Sequence, residues 1–271
     1  MSAIEAIVLG LVQGLTEFLP ISSSGHLRIV PAFFGWDDPG AAFTAVIQLG
    51  TMAAVVVYFR RDLARIALAW AHELSTPYRA RSHEANLGWF IILGTIPISV
   101  FGLIFSDQIE SGARDLYLIG SALILFSFVM LLAERFGSRR RELTELNMRD
   151  GLFIGFAQAL ALIPGVSRSG ATISAGLFRN LDGVAAARYS FLLSVPAVVL
   201  SGLFEMRDVG HGDGATVEAT IIATVAAFIS GYAAIAWLLR YLTTHTLAVF
   251  IAYRIPLGAL VLALAATDTI S

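Results

Sequence analysis

Two stretches of this chain follow one pattern. Gln13 to Gly25 reads QGLTEFLPISSSG, and Gln158 to Gly170 reads QALALIPGVSRSG. Both run from Gln to Gly through a proline and close on S-x-S-G. A long motif that recurs in a hydrophobic chain points to a duplicated membrane fold with its site between the halves. Ser22, Ser23, Ser24 and Gly25 then correspond to Ser167, Arg168, Ser169 and Gly170. The copies differ where chemistry would sit. Glu17 stands opposite Leu162 and His26 opposite Ala171, while Arg168 stands opposite Ser23 and Thr172 opposite Leu27. One copy carries the acid and the imidazole, and the other carries the cation. Neither is a complete site.

The surroundings of these motifs are those of a lipid-embedded chain. Of 271 residues, 57% are hydrophobic and 14% charged, and the mean hydropathy is +0.76. That is an integral membrane composition, with no soluble domain left once spans are assigned. The expected partners are the bilayer and a lipid, with no nucleic acid, and a homodimer is possible. All eighteen basic residues are arginine. Without cysteine, neither disulfides nor thiolate metal sites can form. The start, MSAIEAIVLG, lacks a basic segment, so no cleavable signal is expected.

Six apolar runs are long enough to span: Ala41 to Phe59, Ala85 to Phe105, Leu116 to Ala133, Ala185 to Phe204, Val217 to Leu239 and Leu247 to Ala266. The motif stretches fall in two shorter segments, residues 1–35 and 150–180. Each reads as a re-entrant helical hairpin whose tip is buried in protein. The expected fold is therefore an all-α polytopic membrane protein of two repeats, residues 1–149 and 150–271. Three spans per repeat is odd, so the second is inverted relative to the first. The loops at 60–84 and 135–149 hold five arginines each, and those at 106–115 and 205–214 are acidic. The positive-inside rule puts the arginine-rich side in the cytoplasm. Both termini and the site's opening then face the outside of a bacterial inner membrane.

The stretch Pro164 to Thr172, PGVSRSGAT, suits an anion. Gly165 and Gly170 permit tight turns with converging amides. Ser167, Ser169 and Thr172 add hydroxyls, and Arg168 supplies a planar fork matched to phosphate. A helix beginning here would aim its positive end at the same point. The first tip brings Gln13, Glu17, Ser22, Ser23, Ser24 and His26. A carboxylate beside a phosphate cradle can hold a divalent cation, with Glu17 the ligand and Mg2+ or Ca2+ the ion. His26 can act as base or nucleophile, or activate a serine, with Ser23 one choice among three. The set suits hydrolysis of a phosphoester or pyrophosphate. Other readings stay open: Glu17 paired structurally with Arg168, His26 as an interfacial histidine, the small residues serving only close helix packing. Arg28 reads as interfacial, and Arg188 as ambiguous.

These residues resemble those of the undecaprenyl-pyrophosphate phosphatases, also called bacitracin-resistance proteins. That family's first motif, Glu or Gln then Glu four residues on, matches Gln13 and Glu17. Its second, P-G-x-S-R-S-x-x-T, matches Pro164 to Thr172 at every defined position, and the S-S-S-G-H turn matches too. The likeness runs over essentially the whole chain. It implies divalent-metal-dependent hydrolysis of the C55 lipid pyrophosphate to the monophosphate and inorganic phosphate, which recycles the carrier lipid of cell-wall synthesis. Gln at position 13 removes one potential carboxylate from the metal site. Two readings from other classes are a transporter of an anionic polyprenyl phosphate lipid, for which paired broken helices are a common plan, and a resistance factor that only sequesters lipid.

Overall fold

The computed structural model describes residues 1–112, 114–205 and 216–270. Its regular elements are helices; among the described residues, extended pairing is limited to one bridge between Arg141 and Leu181. The helix order repeats. A short pair, α1 (Ala3–Phe18) and α2 (Ser23–Phe34), leads into α3 (Gly40–Tyr58), which bends by 76° into α4 (Arg60–His72). Then come α5 (His83–Ile104), the short α6 (Ser106–Gly112) and α7 (Leu116–Phe136). The second half opens on another short pair, α8 (Met148–Ala159) and α9 (Arg168–Phe178), followed by α10 (Gly183–Glu205), α11 (Val217–Tyr241) and α12 (Ala248–Ala266).

Five of the long helices are apolar and long enough to cross a membrane, and α3 with α4 supplies a sixth. The protein is thus a multi-pass, all-α membrane protein. The paired short helices cannot cross. At 1.5 Å per residue, the 12-residue α8 extends only about 18 Å, against roughly 30 Å of hydrocarbon. In each pair the chain turns between the two short helices, at residues 19–22 and 160–167.

Two segments read as loops are partly helical. Arg60 to His72 is α4, because Leu63, Ile66 and Trp70 fall on one helical face and Arg61 and Arg65 on the exposed one. Residues 106–112 of the first acidic loop form α6. The second acidic loop, 205–214, lies outside the described residues apart from Glu205.

Each hairpin's first arm is sealed by backbone contact with a long helix from the other half. At Gly10 of α1, an added Cβ would stand 2.3 Å from the Ala223 carbonyl oxygen of α11. At Gly155 of α8, it would stand 2.5 Å from the Cα and oxygen of Gly94 in α5. Gly10 and Gly155 hold corresponding places in the repeat. Small residues at such crossings let helix backbones approach closely where lipid offers no hydrophobic drive.

The base of the second hairpin is tied by charge. Asp150, fully buried, accepts from Arg141 and Arg179 at 2.6 Å each and from the Asn147 amide at 3.1 Å. This carboxylate joins the loop after α7, the start of α8 and the end of α9. Arg188 donates to Asp62 at 3.0 Å, and Arg28 pairs with Asp38 at 3.5 Å while donating to the Arg114 carbonyl. Both arginines are anchored away from the motif tips.

Because no side chain fits at the α8–α5 crossing, Gly155→Leu should force the hairpin off α5. Overpacking of this kind costs about 1–3 kcal/mol. A lower thermal midpoint in detergent is expected, together with loss of activity. An unchanged midpoint would show that α8 does not need this contact.

Candidate active site

Both hairpins turn in the same way. The first arms end near Pro20 and Pro164, and the second arms start on serine caps. Ser22 caps α2, accepting from the Gly25 amide at 3.4 Å, and Ser167 caps α9, accepting from the Gly170 amide at 3.1 Å. Each serine is held at positive φ, 77° and 79°. Such backbone is costly for a residue with a Cβ, and it gathers at functional sites. The corresponding residues of the repeat thus carry the same strain and the same cap.

The tips meet on an ion pair between the halves. Arg168 Nη2 donates to Glu17 Oε1, and the two side chains are 16% and 6% exposed. The other carboxylate oxygen, Glu17 Oε2, accepts from Ser23 Oγ at 2.6 Å and from Gln13 Nε2 at 3.2 Å. Gln13 and Glu17 sit one turn apart on α1, which places both on one face. Gln13 Oε1 is buried without a hydrogen-bond partner. A second contact holds the tips together: Ser169 Oγ donates to the Leu19 carbonyl at 3.0 Å.

The remaining predicted residues divide between this centre and its supports. Ser167 and Ser169 lie 3.1 Å apart through their hydroxyls, and Ser22 and Ser24 lie 3.3 Å apart. Gly165 turns at φ 91° against the Ile119 carbonyl, where a Cβ would come within 2.6 Å. Thr172 is fully buried; its hydroxyl donates to the Arg168 carbonyl at 2.8 Å and lies 2.5 Å from Ser190 Oγ. It braces the arginine's turn from behind. His26 is directed elsewhere. Its Nδ1 is 2.7 Å from the Ser22 carbonyl, an acceptor only, so Nδ1 carries the proton. In the neutral ring Nε2 then accepts from the Tyr253 hydroxyl at 2.7 Å.

Two side chains of α12 complete the arrangement and were not singled out from the sequence. Tyr253 holds His26, and Arg254 holds both tips. The Arg254 guanidinium is fully buried. It donates to the Pro20 carbonyl at 3.2 Å, the Gly165 carbonyl at 2.9 Å and Ser127 Oγ at 3.1 Å. Pro20 and Gly165 are corresponding residues of the repeat, so one arginine spans the join between the copies. Its sequence signal was an arginine midway along an otherwise apolar span, where charge is rare and marks function.

The oxygens that could hold a hard cation here are those of Glu17, Ser23 Oγ and the unpartnered Gln13 Oε1. Among the described residues, no cluster of three or more His, Cys, Asp or Glu could hold a metal. Among the described residues, Glu17 is the one carboxylate hydrogen-bonded at the tips.

Six apolar crossings around two half-length hairpins, with a carboxylate, a guanidinium and hydroxyls sealed at their tips, define a polytopic membrane protein with an anion-facing polar centre. Comparison with known proteins agrees with that class. The chain matches the bacitracin resistance protein BacA family over residues 6–260, and it belongs to that family. It is 54% identical to an undecaprenyl-diphosphatase of Thermobifida fusca over 97% of this chain and 90% of the relative. Against the undecaprenyl-diphosphatase of Mycolicibacterium smegmatis, identity is 53% over 100% of this chain and 99% of the relative.

Arg254 and Arg168 should respond differently to lysine. Arg254→Lys leaves a buried carbonyl unsatisfied, at about 1–3 kcal/mol, and should lower both thermal midpoint and turnover. Arg168→Lys should lower turnover by at least tenfold with the midpoint kept. Equal midpoints for both variants would remove Arg254 from its joining role.

Proposed function

We propose that this protein hydrolyses undecaprenyl pyrophosphate to undecaprenyl phosphate and inorganic phosphate, recycling the carrier lipid of cell-wall synthesis and lending resistance to bacitracin. The observation that carries this reading is the Ser23–Glu17–Arg168 chain. A hydroxyl proton points at one oxygen of a buried carboxylate whose other oxygen is held by the phosphate-binding arginine.

In the ligand-free arrangement Glu17 and Arg168 neutralise each other. The substrate's phosphates exchange into Arg168, whose fork can grip two oxygens at once. Glu17 is then left facing the Ser23 hydroxyl. Ser23 Oγ attacks the terminal phosphorus: a Ser23 O–P bond forms, the P–O bond to undecaprenyl phosphate breaks, and the hydroxyl proton passes to Glu17. A water oxygen then bonds to the phosphorus as the Ser23 O–P bond breaks; Glu17 returns its proton to Ser23 Oγ, and inorganic phosphate leaves with both water protons. Arg168 and the positive ends of α2 and α9 hold the charge that grows on the phosphoryl oxygens. The caps at Ser22 and Ser167 and the Ser169 and Thr172 bonds fix those helix ends in place. His26, held by Ser22 and Tyr253, flanks the first tip as a positioned acid or base. A divalent cation bound at Glu17, Gln13 and Ser23 would neutralise pyrophosphate charge and polarise its oxygens.

Charge supports an orientation. Arg60, Arg61, Arg65, Arg139, Arg140 and Arg141 lie at one end of the spans, so that end is assigned to the cytoplasm of a bacterial inner membrane. The active-site opening then faces outward. A transporter needs neither the acid nor its hydroxyl partner, and that reading is not favoured.

Glu17→Gln and Ser23→Ala should each reduce phosphate release from purified protein by at least a hundredfold, and Gln13→Ala should be milder. Chelation should silence the wild type and added Mg2+ or Ca2+ should restore it, with no restoration in Glu17→Gln. Damage from Gln13→Ala equal to that of Glu17→Gln at saturating metal would overturn these roles.

Orientation is tested in the same cysteine-free chain. Arg140→Cys should react with an impermeant thiol reagent only from the cytoplasmic side, and Ser23→Cys only from outside. Labelling of Ser23→Cys solely from the cytoplasm would invert the assignment.

A further inference from the structure

Where α3 ends and the chain bends by 76° into α4, the fold leaves an open hollow of about 660 Å3. It is lined by Tyr58, Arg60, Arg61, Asp62, Ala64 and Arg65, none of which the hydrolytic mechanism uses. At 1.5 Å per residue the 19-residue α3 extends about 28 Å, close to the full hydrocarbon thickness of a bilayer. Its last turn, and the hollow with it, therefore fall at a membrane boundary.

Charge in the hollow is unbalanced. Asp62 is the one carboxylate in its lining, and both oxygens are taken. Arg65 donates to Asp62 Oδ1 and Arg188 to Oδ2, the latter at 3.0 Å. Arg60 Nη1 donates to the Val57 carbonyl at 3.0 Å, which holds that guanidinium against the last turn of α3 without neutralising it. Arg61 is exposed, and among the described residues its side chain has neither an ion pair nor a hydrogen bond. Four guanidiniums thus gather around one carboxylate. Such an excess fits an anion with several oxygens, and the guanidinium fork grips phosphate oxygens in pairs.

The surroundings decide which anion. Tyr58 packs edge-on against Tyr232 of α11, with ring centroids 5.3 Å apart, and Tyr232 is 39% exposed. Tyrosines at this level mark the head-group region of a membrane. Leading away from the hollow, α3 exposes Ala53, Val56 and Val57, and α11 exposes Ile229 one turn from Tyr232. A free phosphate gains nothing from this apolar continuation, whereas the acyl chains of a lipid lie along it. Basic pockets at the ends of spans bind acidic head groups in this way.

We propose that the hollow at the α3–α4 bend seats the head group of an anionic phospholipid. Its phosphodiester lies at Arg60 and Arg61, and its acyl chains follow Val56 and Val57 of α3 and Ile229 of α11. This site is separate from the polar centre at the hairpin tips, and the assignment does not depend on the hydrolytic reading.

Native mass spectrometry of the full chain, delipidated in a neutral detergent, tests it. Dioleoyl phosphatidylglycerol should bind at least tenfold more tightly than dioleoyl phosphatidylcholine, which has the same acyl chains and no net charge. Arg61→Gln removes no contact within the protein, and it should cut that preference at least threefold. Arg60→Gln combined with Arg61→Gln should abolish it. Arg79→Gln, at an exposed arginine of the following segment outside the hollow, should keep it. Inorganic phosphate at millimolar concentration should leave lipid binding unchanged. Phosphate release in lipid-free detergent should stay within about twofold of wild type in each variant. Equal binding of the two phospholipids, or a preference kept in the double variant, overturns the proposal. An equal loss in Arg79→Gln would reduce the effect to a general attraction between arginines and acidic lipid and overturn the hollow as a site. Displacement of the lipid by inorganic phosphate would assign the site to a free anion and overturn the lipid.

Discussion

The arrangement depends on one buried cation. Arg254 stands in the middle of α12, among the described residues it pairs with no carboxylate, and it spends its donors on the Pro20 and Gly165 carbonyls and on Ser127. Backbone that leaves helical geometry inside a membrane needs protein partners, because lipid supplies none. Each hairpin tip contains such backbone, and the same guanidinium serves a carbonyl at the same place in both. Joining the tips in this way sets the distance between the acid of one copy and the arginine of the other. The Glu17–Arg168 pair is a consequence of that join.

Placing these charges in a dry interior has chemical consequences. A largely buried carboxylate and guanidinium that face each other interact strongly, and either left alone would be costly. An anionic substrate therefore exchanges for the carboxylate at Arg168, while Glu17 needs a new partner, whether a proton from Ser23 or a cation. The asymmetry of the repeat makes this exchange productive. A fully symmetric duplicate would have presented two acids or two arginines, each repelling its counterpart. Elsewhere, charge is kept at the helix ends, as in the Asp150 clamp that anchors the second hairpin.

Much of this was legible in the sequence because membranes impose simple rules. Apolar length sets the number of crossings, and the limits of the six long helices fall within a few residues of the apolar runs. A thirteen-residue motif repeated with a proline and a serine cap dictates two alike turns, and Ser22 and Ser167 adopt nearly the same φ. The amphipathic α4 was hidden inside a segment read as a loop, since its arginines mark the membrane boundary whether or not the backbone is helical. Tyr253 carried no motif, and its contact with His26 spans 227 residues of chain.

The sequence by itself determined the class of fold and the paired motifs that carry Glu17 and Arg168, because hydropathy and the repeat are local properties of the chain. Tertiary structure alone decided which of those residues touch. It turned His26 toward Tyr253 and Ser22 and set Ser23 against Glu17, and it put Thr172 behind Arg168. Those outcomes depend on how far each helix is inserted and rotated, and that is set by backbone contacts such as Gly10 on Ala223 and Gly155 on Gly94. Close packing between distant segments carries no periodic signature along the chain, so only the folded molecule reveals it.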